Sequence, residues 1–230
     1  KCEASNKRII QGNGIPNHDI VIWNPSAPCE QFWQVELPLN PTYNQDPVEL
    51  PRMNFNAITL GGVPIFGATE GTGDNAVLME AVPDAAFWYG HAAQAGDWHY
   101  HSPRMGTESE LTEHTSNTLV AFALDGFPIY GPLNDTETLT LDNCNGRFDA
   151  DGNYQYHLKT IDQVDGTADY CDGTNVWNKW NYILGCYHGE TSNTVVATTQ
   201  SEWGVIPNDC VEDFELEGLA EDTDILAFLR

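Results

Sequence analysis

The chain is short of positive charge. Nine Lys and Arg stand against 34 Asp and Glu in 230 residues, a formal net charge of −25. Such a chain repels nucleic acid and anionic membrane surfaces and attracts cations. No nucleic-acid partner is expected. No apolar run approaches the ~20 residues of a membrane helix, so no membrane insertion is expected either. The cysteines Cys2, Cys29, Cys144, Cys171, Cys186 and Cys210 contain no Cys-x-x-Cys, which argues against a thiolate zinc site or a thioredoxin-like centre. There is no Gly-x-Ser-x-Gly elbow and no phosphate-cradling glycine loop, so no nucleophile has a recognisable setting.

What is present describes a folded, oxidised domain. Hydrophobic residues make up 41% and aromatics 11% of the chain, with seven tryptophans, ample material for a core. The six cysteines are even in number and scattered, the pattern of disulfides formed in an oxidising compartment. Spacing alone leaves all ~15 connectivities open. The acids are spread along the chain and read first as a solubility device; only 213–224 approaches a run. The chain starts at Lys1 rather than Met, and it is read as a secreted, extracellular or periplasmic protein processed from a precursor.

Gly, Pro, Asn and Asp punctuate the sequence every few residues. Between them lie short runs rich in β-branched and aromatic residues: Asp19–Trp23, Phe32–Leu37, Phe55–Leu60, Leu119–Leu124, Tyr154–Leu158, Tyr182–Leu184 and Thr194–Thr198. These predict strands. Helix is expected only at Asn75–Trp88, interrupted by Pro83, and near Glu221–Leu229. The fold class is therefore mostly β, a sandwich or irregular barrel of short strands with minor helix and long loops.

One segment carries chemistry. In Trp98-His99-Tyr100-His101 the aromatics favour a strand, and residues two apart in a strand share a face. His99 and His101 then point the same way, as half of a metal site. Neutral imidazole suits copper, zinc, iron and nickel. A third nitrogen is sought from His91, which reaches the pair if Gln94–Asp97 turns a hairpin, or from His157 or His114. His18 follows a Pro-Asn turn and is read as either a ligand or a turn-capping donor, and His188, beside an expected disulfide, reads as structural. The four residues are echoed by Tyr154-Gln155-Tyr156-His157; with no fixed period in the chain, the echo is read as coincidence ahead of two related hairpins. Asp149-Ala150-Asp151-Gly152-Asn153 lacks the spacing and closing Glu of a calcium loop and reads first as a turn, with calcium a minor alternative.

Several segments in order resemble the YHYH family: Asn13–His18, Asn56–Ile65, His91 with Asp97 and the His99-Tyr100-His101 motif, Ala123–Pro132, Leu141–Arg147, Tyr154–Leu158 and Ile183–Gly189. Trp98 replaces the first Tyr of the naming motif, and Gln155 replaces a His in the second. The resemblance divides the chain into an N-terminal arm (1–12), a YHYH-like domain (13–189) and a C-terminal extension (190–230). It implies a secreted metal-binding protein, with copper ahead of zinc. Asp97 and Asp125 are the acids placed to orient the imidazoles, although Asp125-Gly126 reads first as a tight turn. Cys144 and Cys186 lie in two of the matched segments and are expected to pair; Cys2 with Cys29, and Cys171 with Cys210, complete the expected framework. Two other functions stay open: a secreted assembly subunit that self-associates with merely structural histidines, and a metal-dependent hydrolase or oxidase. Binding is favoured over turnover, because no acid, base or nucleophile is evident beyond the histidines.

Overall fold

In the computed structural model the described residues are 6–17, 28–51, 55–71, 75–76, 90–93, 96–101, 114–160, 163, 180–191 and 195–197. They form strands β1 (Lys7–Gly12), β2 (Trp33–Pro38), β3 (Val48–Glu49), β4 (Ala57–Thr59), β5 (Pro64–Ile65), β6 (Gly90–Ala92), β7 (Trp98–Tyr100), β8 (Leu119–Ala123), β9 (Pro128–Tyr130), β10 (Gly146–Phe148), β11 (Tyr154–His157), β12 (Cys186–Tyr187) and β13 (Val195–Ala197), with a single described turn of helix, α1 (Asp135–Thr138). The mostly β expectation holds, as open sheets with no closed barrel among the described residues. The main sheet has eight strands in the order β10-β11-β9-β8-β4-β5-β7-β6; β1-β2-β13 and β12-β3 form two smaller sheets.

Most expected strands formed, shortened at their ends. Residues 7–12, read as an arm, are strand β1 paired along its length with β2. Tyr182–Leu184 is not a strand. Tyr182 is buried, accepts a hydrogen bond at its hydroxyl from Asn75 and offers its carbonyl to the Lys159 amide, so its backbone is spent on loop contacts. The Asp19–Trp23 strand, the C-terminal helix and all but Asn75 and Ala76 of the first expected helix lie outside the described residues. The core is built from Val35, Leu37, Ile58, Ile65, Ile129, Tyr156 and Leu158, closed by Trp180 and Tyr187.

The strand order of the main sheet reads the same from both edges. Hairpin β4–β5 pairs Ala57 with Ile65 and Ile58 with Pro64; hairpin β8–β9 pairs Ala121 with Ile129 and Phe122 with Pro128. Hairpin β6–β7 pairs Gly90 with Tyr100, His91 with His99 and Ala92 with Trp98; hairpin β10–β11 pairs Gly146 with Tyr156, Arg147 with Gln155 and Phe148 with Tyr154. Ile65 lies beside Tyr100 in the parallel pair β5–β7, and Ile129 beside Tyr156 in the parallel pair β9–β11. At the centre Ala57 faces Ala123, Thr59 faces Ala121 and Ile58 faces Phe122, so the halves are related by a pseudo-twofold axis between Ile58 and Phe122. Even the turn glycines agree: Gly62 and Gly126 have φ of 80° and 90°, and Gly96 and Gly152 have 79° and 83°, values that side-chain-bearing residues rarely adopt.

The echo of Trp98–His101 in Tyr154–His157 is thus a structural repeat and not a coincidence. No fixed period betrays it because the linkers between hairpins differ in length. A second echo is present in the sequence. Leu60-Gly61-Gly62-Val63-Pro64-Ile65-Phe66-Gly67 and Leu124-Asp125-Gly126-Phe127-Pro128-Ile129-Tyr130-Gly131 share Leu-x-Gly-x-Pro-Ile-aromatic-Gly.

Candidate metal centre

Antiparallel pairing sets His91 directly across from His99 at the edge of the main sheet. Directly opposed residues share a face, as do residues two apart on one strand, so the fold brings His91, His99 and His101 together. One ring nitrogen from each lies within 4.8 Å of the others. The ring centroids are 4.5 Å (His91–His99), 5.1 Å (His91–His101) and 4.7 Å (His99–His101) apart. All three are buried. Phe66 stacks on His99 at 4.0 Å and holds its plane.

Two imidazoles are oriented by main-chain carbonyls. His99 Nδ1 meets the Asp97 carbonyl at 3.1 Å, and His101 Nδ1 meets the Gly67 carbonyl. Their Nε2 atoms then face one another at 3.0 Å. Three polar contacts are involved, and two neutral imidazoles supply two N–H groups. Whichever tautomers are assigned, one contact sets lone pair against lone pair. A carbonyl can only accept, so Nδ1 of both rings carries the hydrogen and the opposed lone pairs fall at Nε2. A third proton would relieve this, but burial opposes it. Burial, reinforced by the neighbouring histidines, pushes His99 well below the usual imidazole range; burial and His91 push His101 down to about 3. Burial also lowers His91, against the pull of Glu70 and Asp97. At neutral pH the site is three uncharged imidazoles, the protonation state that binds a metal. A cation held between them would satisfy both Nε2 lone pairs.

His91 Nδ1 lies 3.6 Å from Glu70 Oε1. Nothing in the sequence pattern marks Glu70, which comes from the loop after β5. The Gly67 carbonyl is also unmarked, though it ends the Leu-x-Gly-x-Pro-Ile-aromatic-Gly segment. Asp97 serves His99 through its carbonyl, and its carboxylate acts on His91 only through its field.

Other candidates are placed elsewhere. His157 is on β11, five positions from β7 in the sheet, ~24 Å at ~4.8 Å per strand, so it cannot join the cluster. Its Nδ1 meets the Gly131 carbonyl at 2.9 Å and its Nε2 meets Gln155 Nε2 at 2.9 Å. His114 lines a cleft with Tyr100, Thr59 and Val120; Tyr100 projects from the opposite face of β7 to His99 and His101. Asp125 does not orient an imidazole. Its Oδ2 accepts from Tyr156 at 2.7 Å and the Gly189 amide at 3.0 Å, and its Oδ1 accepts from the Phe127 amide at 3.2 Å. It ties the turn to the core, the role its Asp-Gly setting first suggested. Asp149 likewise closes the β10–β11 turn, accepting from the amides of Asp151 and Asn153. His18 lies outside the described residues.

A second group, Asp142, Cys144 and His188, also gathers ligand-type atoms. Cys144 is bonded to Cys186, as expected, and has no thiolate to give. His188 stacks on Tyr43 at 4.6 Å and bonds the Asn44 carbonyl through Nδ1, a structural role. Cys29 is disulfide-bonded; Cys2, Cys171 and Cys210 lie outside the described residues. No described helix is long and apolar enough to cross a membrane.

The fold and site define a β protein whose repeated hairpins present a buried three-histidine cluster on one sheet edge. Residues 34–139 match the family model described as YHYH protein. The match spans β2 to α1, takes in the three-histidine hairpin, and ends before β10 and β11, which complete the same sheet. No curated protein and no solved structure matches the chain.

Proposed function

We propose that this chain is a secreted metal-binding protein that holds one transition-metal ion on His91, His99 and His101. The observation that carries the reading is the 3.0 Å approach of two Nε2 atoms whose rings both have Nδ1 turned to a carbonyl. Buried neutral lone pairs do not face one another at that distance without a positive charge between them. Three imidazole nitrogens without thiolate accept copper and zinc. Copper comes first, since a given nitrogen site binds Cu(II) above Zn(II) in the Irving–Williams order. The function is binding or sequestration rather than turnover. The disulfide Cys144–Cys186 fits an oxidising compartment.

The test is a Cu(II) and Zn(II) titration of the purified chain against competing chelators. One tight site is expected, with copper above zinc, and it is lost in His99→Ala/His101→Ala. Unchanged stoichiometry in that variant would sink the assignment. Metal-dependent ester hydrolysis or phenol oxidation with saturation kinetics would replace sequestration by catalysis.

A further inference from the structure

We propose that hairpin β10–β11 is a second copy of the metal site in which a side-chain cation stands where the metal would, so that the chain takes one ion and not two. The inference rests on the metal reading of the first hairpin and extends it to the other edge of the sheet. The backbone cradle is the same at both. His157 Nδ1 meets the Gly131 carbonyl as His101 Nδ1 meets that of Gly67, and the two glycines hold equivalent places after β9 and β5. Gln155 stands in the register position of His99, and its Nε2 lies 2.9 Å from His157 Nε2, against 3.0 Å for His99 and His101. An amide N–H there donates into the lone pair that the first hairpin leaves facing another. Arg147 stands in the position of His91 and lies 3.6 Å from Glu137 Oε1, as His91 lies 3.6 Å from Glu70 Oε1. A guanidinium is always charged and offers no lone pair. The second hairpin therefore has one imidazole acceptor, already used, and a fixed positive charge, which together exclude a metal ion.

It follows that Arg147→His with Gln155→His builds a second metal site on the existing backbone. The experiment counts equivalents of Cu(II), with Zn(II) as a second probe, retained by the full disulfide-bonded chain against a competing chelator. Expected values are one for the wild type, none for His99→Ala/His101→Ala, two for Arg147→His/Gln155→His, and one when the two pairs of substitutions are combined. Cu(II) electron paramagnetic resonance of the combined variant should show nitrogen couplings like those of the wild type. A wild-type chain that binds no ion overturns the metal reading, and this inference with it. One equivalent in the wild type, with a folded Arg147→His/Gln155→His variant that adds none, overturns this inference alone. Should the built site not fold, the reciprocal exchange decides. His91→Arg/His99→Gln is expected to bind no metal and to unfold, metal-free, at a denaturant midpoint no lower than the metal-free wild type. A midpoint below that of His91→Ala/His99→Ala overturns the inference.

Discussion

The two edge hairpins of the main sheet share a register, a turn glycine and a carbonyl cradle, yet they resolve the same electrostatic problem in different ways. At the β10–β11 edge every polar contact of the buried imidazole has a donor and an acceptor. His157 donates to Gly131 and accepts from Gln155, and Arg147 carries the charge. At the β6–β7 edge the contacts outnumber the protons by one. The backbone cannot be the cause, because it is common to both. The difference lies in two side chains, His91 against Arg147 and His99 against Gln155. A fold can thus carry one site twice and keep its chemistry once. The unsatisfied copy is the informative one, since buried polar groups are otherwise almost always paired.

The sharpest way to break this comparison is to remove the same atoms from both edges. His99→Ala/His101→Ala should lower copper affinity by more than the roughly 10–100-fold that an outer partner is worth. Gln155→Ala/His157→Ala should leave copper affinity unchanged. Equal losses from the two variants would mean that the hairpins are not distinct in function.

A disulfide lies close to the second edge. Cys144 precedes β10 and is joined to Cys186 across 42 residues, for which the chain-entropy account gives about 4 kcal/mol. Cys144→Ala/Cys186→Ala should lose on that order in denaturant unfolding and still bind one metal ion. Loss of the metal with the disulfide would instead point to Asp142 and His188 as ligands. His157→Ala should cost about 3 kcal/mol, because it strands the Gly131 carbonyl and the Gln155 amide in the interior. Metal binding should be untouched, and the measurement is the same pair of titrations.

Much of this is legible in the amino-acid sequence. The His-x-His strand, the hairpin that carries His91 to it and the Cys144–Cys186 pair all follow local patterns: alternation, a turn glycine, matched segments. The repeat is half visible, since its motifs are in the sequence, but register identity is a property of pairing and not of period. What cannot be read is long-range. Glu70 and the Gly67 carbonyl reach the site from the loop after β5, and no spacing rule connects them to residue 91 or 101. His157 looks like a ligand because it ends a copy of the motif; only the strand order puts it at the far edge. Asp125 can be read as an imidazole partner because a carboxylate accepts an imidazole N–H, although its Asp-Gly setting reads first as a turn. The chain instead brings Tyr156 and the Gly189 amide to it.

Glu70 gives a subtler test of what orients the first edge. Its carboxylate faces His91 Nδ1 at 3.6 Å and would favour the tautomer that leaves the other ring nitrogen for the metal. Glu70→Gln should weaken copper binding about 10-fold, within the range for an outer partner, while Glu137→Gln, its counterpart at Arg147, should not. Stoichiometry should remain one in both. A Glu70→Gln affinity equal to the wild type would show that strand pairing and the neighbouring His99 and His101 rings hold His91 without the carboxylate.

The smallest effect separates the edges by pH in the metal-free chain. His99 and His101 are held neutral by burial, His101 down to about 3, whereas in the unfolded chain both titrate near 6.5. A folded pKa below the unfolded one means that the unfolded state takes up protons first, so stability is fully present above about pH 6.5 and is lost as pH falls toward the folded value. Between about pH 7.5 and 5.5 the loss is about 1.4 kcal/mol for His101. His99 adds a loss in the same direction, since burial depresses it too. His157 also loses stability on acidification, because burial lowers it, but its relation to the Gly131 carbonyl and Glu137 opposes that shift. Denaturant midpoints measured across this range should therefore fall more steeply with acid in the metal-free wild type than in metal-free His99→Gln/His101→Gln. The variant lacks the two buried imidazoles that the wild-type chain must keep unprotonated. Parallel curves would mean that His99 and His101 take up protons equally in the folded and unfolded chain, and that the acid sensitivity resides elsewhere.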